Sequence, residues 1–71
     1  MLDWNDIAKG VLRSEMAKRQ ISYADLADSL AELGVKESVP NLRNKVSRGS
    51  FTAAFLFQCL RAMRVTTLHL D

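Results

Sequence analysis

The chain has 71 residues, 10 Lys and Arg against 8 Asp and Glu for a net charge of +2, 48% apolar residues, and a single Cys, His and Pro. At this length it makes one domain over residues 1–71, with its apolar side chains in a single core. Cys59 alone excludes an internal disulfide, and Cys59 with His69 does not supply the neighbouring Cys/His set of a zinc site. The longest apolar run, Ala53–Phe57, falls far short of the roughly 20 residues that span a bilayer, and Asp3 and Asp6 stand where a secretory leader is basic and then apolar, so the expectation is a protein of a reducing cytoplasm with no membrane partner.

No stretch alternates apolar and polar residues over the length of a strand, whereas a 3.6-residue period recurs throughout, which predicts an all-α fold of four to five helices. The first helix is expected from about Asp3 to Arg19, with Asp3 as N-cap, Asp6 in the first turn, and Trp4, Ile7, Ala8, Val11 and Leu12 as its buried stripe. Ser22 followed by Asp25 is a capping-box pattern opening the second helix, with Ile21 and Leu26 as its hydrophobic staple. Tyr23, Leu26, Ala27 and Leu30 then form the buried side, Asp25, Asp28 and Glu32 the solvent side, and Gly34 the stop. Ser38 caps the third helix, Pro40 falls in its first turn, and Gly49 ends it. Thr52 or Ser50 caps a fourth with Leu56, Cys59, Leu60 and Met63 as its core face, after which Thr66–Leu70 is expected to begin a fifth.

The third helix carries the most informative chemistry. Val39, Leu42 and Val46 mark its buried seam, so Asn41, Asn44 and Arg48 point the other way. Asn pairs with the N6 and N7 edge of adenine and Arg with the O6 and N7 edge of guanine, so this outward set matches the major groove of DNA. Charge is segregated to the same place: residues 1–35 carry four cations against six acids, residues 36–48 four against one, and residues 49–71 two against one. Such clustering is a footprint for a polyanion, although four cations on a surface helix are also ordinary solvation.

The order of these pieces, Ile-Ser-Tyr-Ala-Asp-Leu-Ala-Asp-Ser-Leu, then Leu-Gly-Val, a polar helix ending Ser-Arg-Gly, and Leu-Phe-Gln-Cys-Leu-Arg-Ala-Met, resembles the phage repressor and Cro-like helix-turn-helix family over roughly residues 9–65. The Asn44-Lys45-x-x-Arg48-Gly49-x-Phe51 run is also similar to a pattern in a small bacterial family of unknown function. Six residues separate Ala27 from Gly34, and Ala31-Glu32-Leu33 reads as an added turn, so a second helix about one turn longer than usual is expected. Tyr23 stands where the family often has a phosphate-contacting Gln, and Ser47 where it often has an acid.

The resemblance implies a repressor-like domain with the third helix, about residues 38–48, in the major groove. Ser38, Asn41, Asn44 and Arg48 are the candidate base readers, with Glu37 near the inserted end. Lys18, Arg19, Ser22, Tyr23, Lys36, Arg43 and Lys45 are the candidate phosphate contacts. Each has a plain structural alternative: Lys18 and Arg19 pair with Glu15 along the first helix, and Tyr23 covers the core.

Catalysis and metal binding find little support. Cys59 lies on an apolar face as a small buried thiol, His69 is near the chain end, and Asp25, Asp28 and Glu32 read as a solvated face plus one cap. No cofactor is expected. The rival to DNA binding is a protein-binding or dimerisation module on the same fold, for which Phe57, Arg61 and Arg64 on one face of the fourth helix are the candidate homodimer or partner contact; Phe57 packing under residues 66–70 is the alternative. The expectation carried forward is a cytoplasmic, DNA-binding transcription regulator without enzymatic activity.

Overall fold

A computed structural model describes residues 2–69. Four helices follow in order, α1 (Trp4–Lys18), α2 (Tyr23–Glu32), α3 (Val39–Arg48) and α4 (Ala53–Ala62), and no strand occurs among the described residues. Each begins where a short polar side chain can accept from a first-turn amide. Asp3 Oδ1 accepts from the Asn5 N–H at 2.9 Å, Ser38 Oγ from Asn41 at 3.2 Å and Thr52 Oγ1 from Phe55 at 3.0 Å. At α2 the expected capping box is present in both directions: Ser22 Oγ accepts from the Asp25 N–H at 3.0 Å, and Asp25 Oδ2 accepts from the Ser22 N–H at 3.1 Å. The Ser22 N–H, and after it the Ser22 hydroxyl, hold the Asp25 carboxyl below its ordinary pKa of 3.8.

Three helices end in the same way. After α2 the N–H of Val35 bonds the carbonyl of Leu30 and that of Gly34 bonds Ala31, with Gly34 at φ +83°. The pattern repeats after α1 through Ile21 to Met16 and Gln20 to Ala17, and after α4 through Val65 to Leu60 and Arg64 to Arg61. Gln20 and Arg64 thus occupy the left-handed position at φ 54° and 60° without being glycine. After α3 the turn is made by Gly49, at φ +70°, whose missing Cβ would lie 2.1 Å from the Asn5 carbonyl oxygen.

The core joins all four helices: Leu12 and Met16 from α1, Leu26 and Leu30 from α2, Leu42 and Val46 from α3, and Phe55, Cys59 and Leu60 from α4, with Met63 just beyond. α3 packs on α1 and α2, and α4 packs on the same two helices. Glu15 is the buried charged residue of this interior, 5% exposed, and its carboxylate accepts from Lys18 at 3.5 Å and from the Arg19 guanidinium.

Three expectations are corrected. The α1 stripe does not run into the core along its whole length: Trp4 is 72% and Ile7 37% exposed, and the buried positions are Leu12, Glu15 and Met16. At 15 residues α1 is about 22 Å long against about 15 Å for the others, so its first turns lie at the rim, bordered by Gly49, Leu56 and Leu68. In α4 the buried aromatic is Phe55, which tilts against Phe51 with ring centroids 5.4 Å apart, while Leu56 is only half-buried. Residues 65–69 form no fifth helix, because the left-handed Arg64 turns the chain back, and Val65 and Leu68 pack on the core from a segment without regular secondary structure. Leu70 lies outside the described residues.

Candidate nucleic-acid interface

α3 is positioned by its seam. Leu42 and Val46 are fully buried and Val39 half-buried, which leaves Asn41, Arg43, Asn44, Lys45, Ser47 and Arg48 exposed. Asn41, Asn44 and Arg48 therefore share a surface as the spacing predicts, and their side chains make no hydrogen bond to other described residues. No acid lies on the helix, and Lys45 and Arg48 stand in its last turn.

The flanking cations are tethered to different degrees. Arg43 stacks on Tyr23, its Cζ 5.5 Å from the ring centroid, so one contact joins the middle of α3 to the start of α2. A guanidinium on an exposed ring gains about 0.5–1 kcal/mol and keeps its N–H edge free for other acceptors. Lys45 is held more firmly: its ammonium donates to Glu37 and lies 5.0 Å from the centroid of Phe55. Its charge is partly neutralised within the fold. Arg13 of α1 donates to Ser47 Oγ at 3.3 Å, adding a cation beside α3.

At the start of α2, Ser22 satisfies the Asp25 and Leu26 amides, which leaves those of Tyr23 and Ala24 without partners within the helix. Lys18 and Arg19 stand just before this turn, and both pair with Glu15 as the alternative reading has it. Ser38 is exposed, but its hydroxyl is engaged as the α3 cap. Lys36 is exposed in the connection between α2 and α3. Phe57, 67% exposed, and exposed Arg61 lie on α4, whereas Arg64, expected on the same helix face, falls beyond the helix end in the left-handed turn that follows it.

Sequence reasoning did not single out the Lys45–Glu37 pair, the Arg43–Tyr23 stack or the Arg13–Ser47 bond. All three cross between elements, so no local period reveals them; the i, i+4 spacing of Phe51 and Phe55 could have pointed to an aromatic floor beneath Lys45.

Cys59 is fully buried, and burial, aided by the nearby Glu37 charge, pushes its thiol up to about 12 despite the opposing effect of Lys45. It is neutral and enclosed at neutral pH, the opposite of an activated nucleophile. Among the described residues no three His, Cys, Asp or Glu side chains gather as metal ligands, and no helix is long and apolar enough to cross a membrane.

No curated protein and no solved structure matches the chain. A family model matches residues 4–68, nearly the whole described fold. The chain belongs to the family described as a domain of unknown function, DUF6471.

Proposed function

We propose that the protein is a sequence-specific DNA-binding transcription regulator of the repressor-like helix-turn-helix type, acting in the cytoplasm without enzymatic activity. α2, residues 33–38 and α3 form the helix-turn-helix, with α3 in the major groove. The observation that carries this reading is the outer face of α3, where Asn41, Asn44 and Arg48 are exposed together beside Arg43, with no acid on the helix. Asn41, Asn44 and Arg48 are assigned to base edges, with Ser38 at the inserted end. Arg43, Lys36 and the amides of Tyr23 and Ala24 behind the Ser22 cap are assigned to phosphates, with Lys18 and Arg19 alongside. Lys45 contributes less than Arg43, because Glu37 already holds its ammonium.

The test is fluorescence anisotropy with random-sequence duplex at low and moderate salt. Binding in the micromolar range or weaker, falling as salt rises, is expected of a domain that neutralises only a few phosphates. Arg43→Ala combined with Lys36→Ala, both assigned to phosphates, should weaken it on every sequence. An absence of binding at low salt, or a double variant that binds as the parent does, removes the DNA reading.

A second reading, a protein-binding module on the same fold, is favoured by one specific feature, the exposed Phe57 beside Arg61. It becomes the better account if the folded parent fails to bind duplex at low salt.

A further inference from the structure

Of the three cations on α3, Arg43, Lys45 and Arg48, only Lys45 is paired with an acid among the described residues. Its ammonium donates to the Glu37 carboxylate and lies 5.0 Å from the centroid of the Phe55 ring. The Glu37 side chain is 13% exposed against 45% for that of Lys45, so the acid is the sheltered member of the pair. No second cation pairs with Glu37 among the described residues. Salt screens such a partly buried pair much less than it screens charges in open water. Glu37 stands just before the Ser38 cap, in the connection that delivers the chain into α3.

At about 100° per residue, Arg43 and Lys45 lie about 100° to either side of Asn44 and so mark the two long edges of the outward face. The edges are not equivalent. The Arg43 edge turns towards α2, where the neutral Tyr23 ring carries the guanidinium and leaves its N–H groups free. The Lys45 edge turns towards α4, where Phe55 and Glu37 both hold the ammonium. Lys45 borders the same concavity as Arg48, Ser50 and Thr52, on the surface that a nucleic-acid strand passing this edge would meet. To reach a phosphate there, Lys45 has to leave a mostly sheltered carboxylate without a partner. Stranding that charge costs more than one phosphate contact returns, because the contact gains only the release of about one counterion.

We propose that Glu37 is an affinity-setting residue that withholds Lys45 from the nucleic acid and leaves phosphate contact to the Arg43 edge of α3. Glu37 touches neither base nor phosphate and acts through Lys45. This role rests on the proposed DNA binding and deepens it. A surface that cancels one of its own cations binds every sequence less tightly than its charge count implies, and it leaves non-specific duplex more readily. A pair that merely fastens the connection to α3 would instead alter stability without altering how binding depends on salt.

The test is titration of random-sequence duplex across a series of salt concentrations with the parent, Glu37→Gln, Lys45→Gln and the double variant, each verified as folded by far-UV circular dichroism. Glu37→Gln keeps an oxygen that accepts from the ammonium and removes the charge that holds it. It should bind about three- to tenfold more tightly at about 0.1 M salt and steepen the slope of log K against log salt by about 0.9, the value of one added phosphate contact. Adding Lys45→Gln should abolish both gains, whereas Lys45→Gln alone should leave the parental slope. Glu32→Gln removes an exposed acid from α2 and should also leave the slope unchanged. A gain that survives in the double variant, or that Glu32→Gln reproduces, is a general effect of net charge and overturns the proposal. Should Glu37→Gln unfold, Lys45→Gln decides: a parental slope supports the proposal, and a slope shallower by about 0.9 overturns it. A parent that binds no duplex removes the DNA reading and this role together, whereas a parent that binds, with a Glu37→Gln variant of the same affinity and slope, overturns this role alone.

Discussion

A β-carbon at Gly49 would have to occupy space already held by the Asn5 backbone, at a φ of +70° that L side chains rarely adopt. Both costs fall on Gly49→Ala, which should destabilise the fold by more than about 3 kcal/mol and is expected to leave little native protein in a domain this small. Gly34→Ala meets nothing within 4 Å and bears the backbone cost alone, about 1 kcal/mol. At Gln20 the sign reverses: Gln20→Gly relieves a left-handed non-glycine and should raise the urea midpoint, by up to about 1 kcal/mol in stability. Urea unfolding of the three variants checks the order. Both glycines were legible as helix ends from their place after a periodic segment. That Gly49 also seats α1 was not, because Asn5 is distant in sequence, and Gln20 and Arg64 gave no signal because left-handed positions are recognised by glycine or asparagine.

Among the helices, the caps decide where each begins, which is why the boundaries read from Asp3, Ser22 and Ser38 agree with the structure, and of the two residues offered for α4, Thr52 or Ser50, Thr52 is the cap. Ser22→Ala removes one half of a reciprocal pair and should lower stability by about 1 kcal/mol with an unchanged denaturant slope. Asp25 supplies the other half with a depressed carboxyl pKa, so its contribution is present above pH 3.8, the ordinary value, and is lost as pH falls through the lower folded one. Asp25→Asn should therefore flatten the acid limb of the stability profile, measured by urea unfolding between pH 5 and about 2. What helical periodicity could not specify was how far along each helix its partners extend. Trp4 and Ile7 have the spacing of core residues, but α1 outreaches its neighbours, and the same pattern becomes a surface strip. Likewise Phe55 and Leu56 are adjacent on α4, and which one enters the core depends on a docking angle that no local period encodes.

Over the whole molecule, a radius of gyration of 11.4 Å is close to the roughly 11 Å expected for a folded chain of this size. The all-helical class and the outward face of α3 were legible because they follow from residue order within single segments. The Lys45–Glu37 and Arg43–Tyr23 contacts, which set how much of the α3 charge is available, arise only when segments meet. The interior also has a pH signature. The Cys59 thiol is raised to about 12 from a reference of 9.0, so it favours the folded state fully below pH 9, and that contribution is lost as pH rises through about 12. Over that window stability should fall by at most about 1.4 kcal/mol per pH unit from this group, and Cys59→Ala should remove the slope in alkaline urea titrations. Because that sulfur is wholly enclosed at the meeting point of the helices, a disulfide reagent added to native protein can react only during openings that breach the centre. With one thiol in the chain, the colour released per unit time is a direct clock for those openings, read without attaching any label.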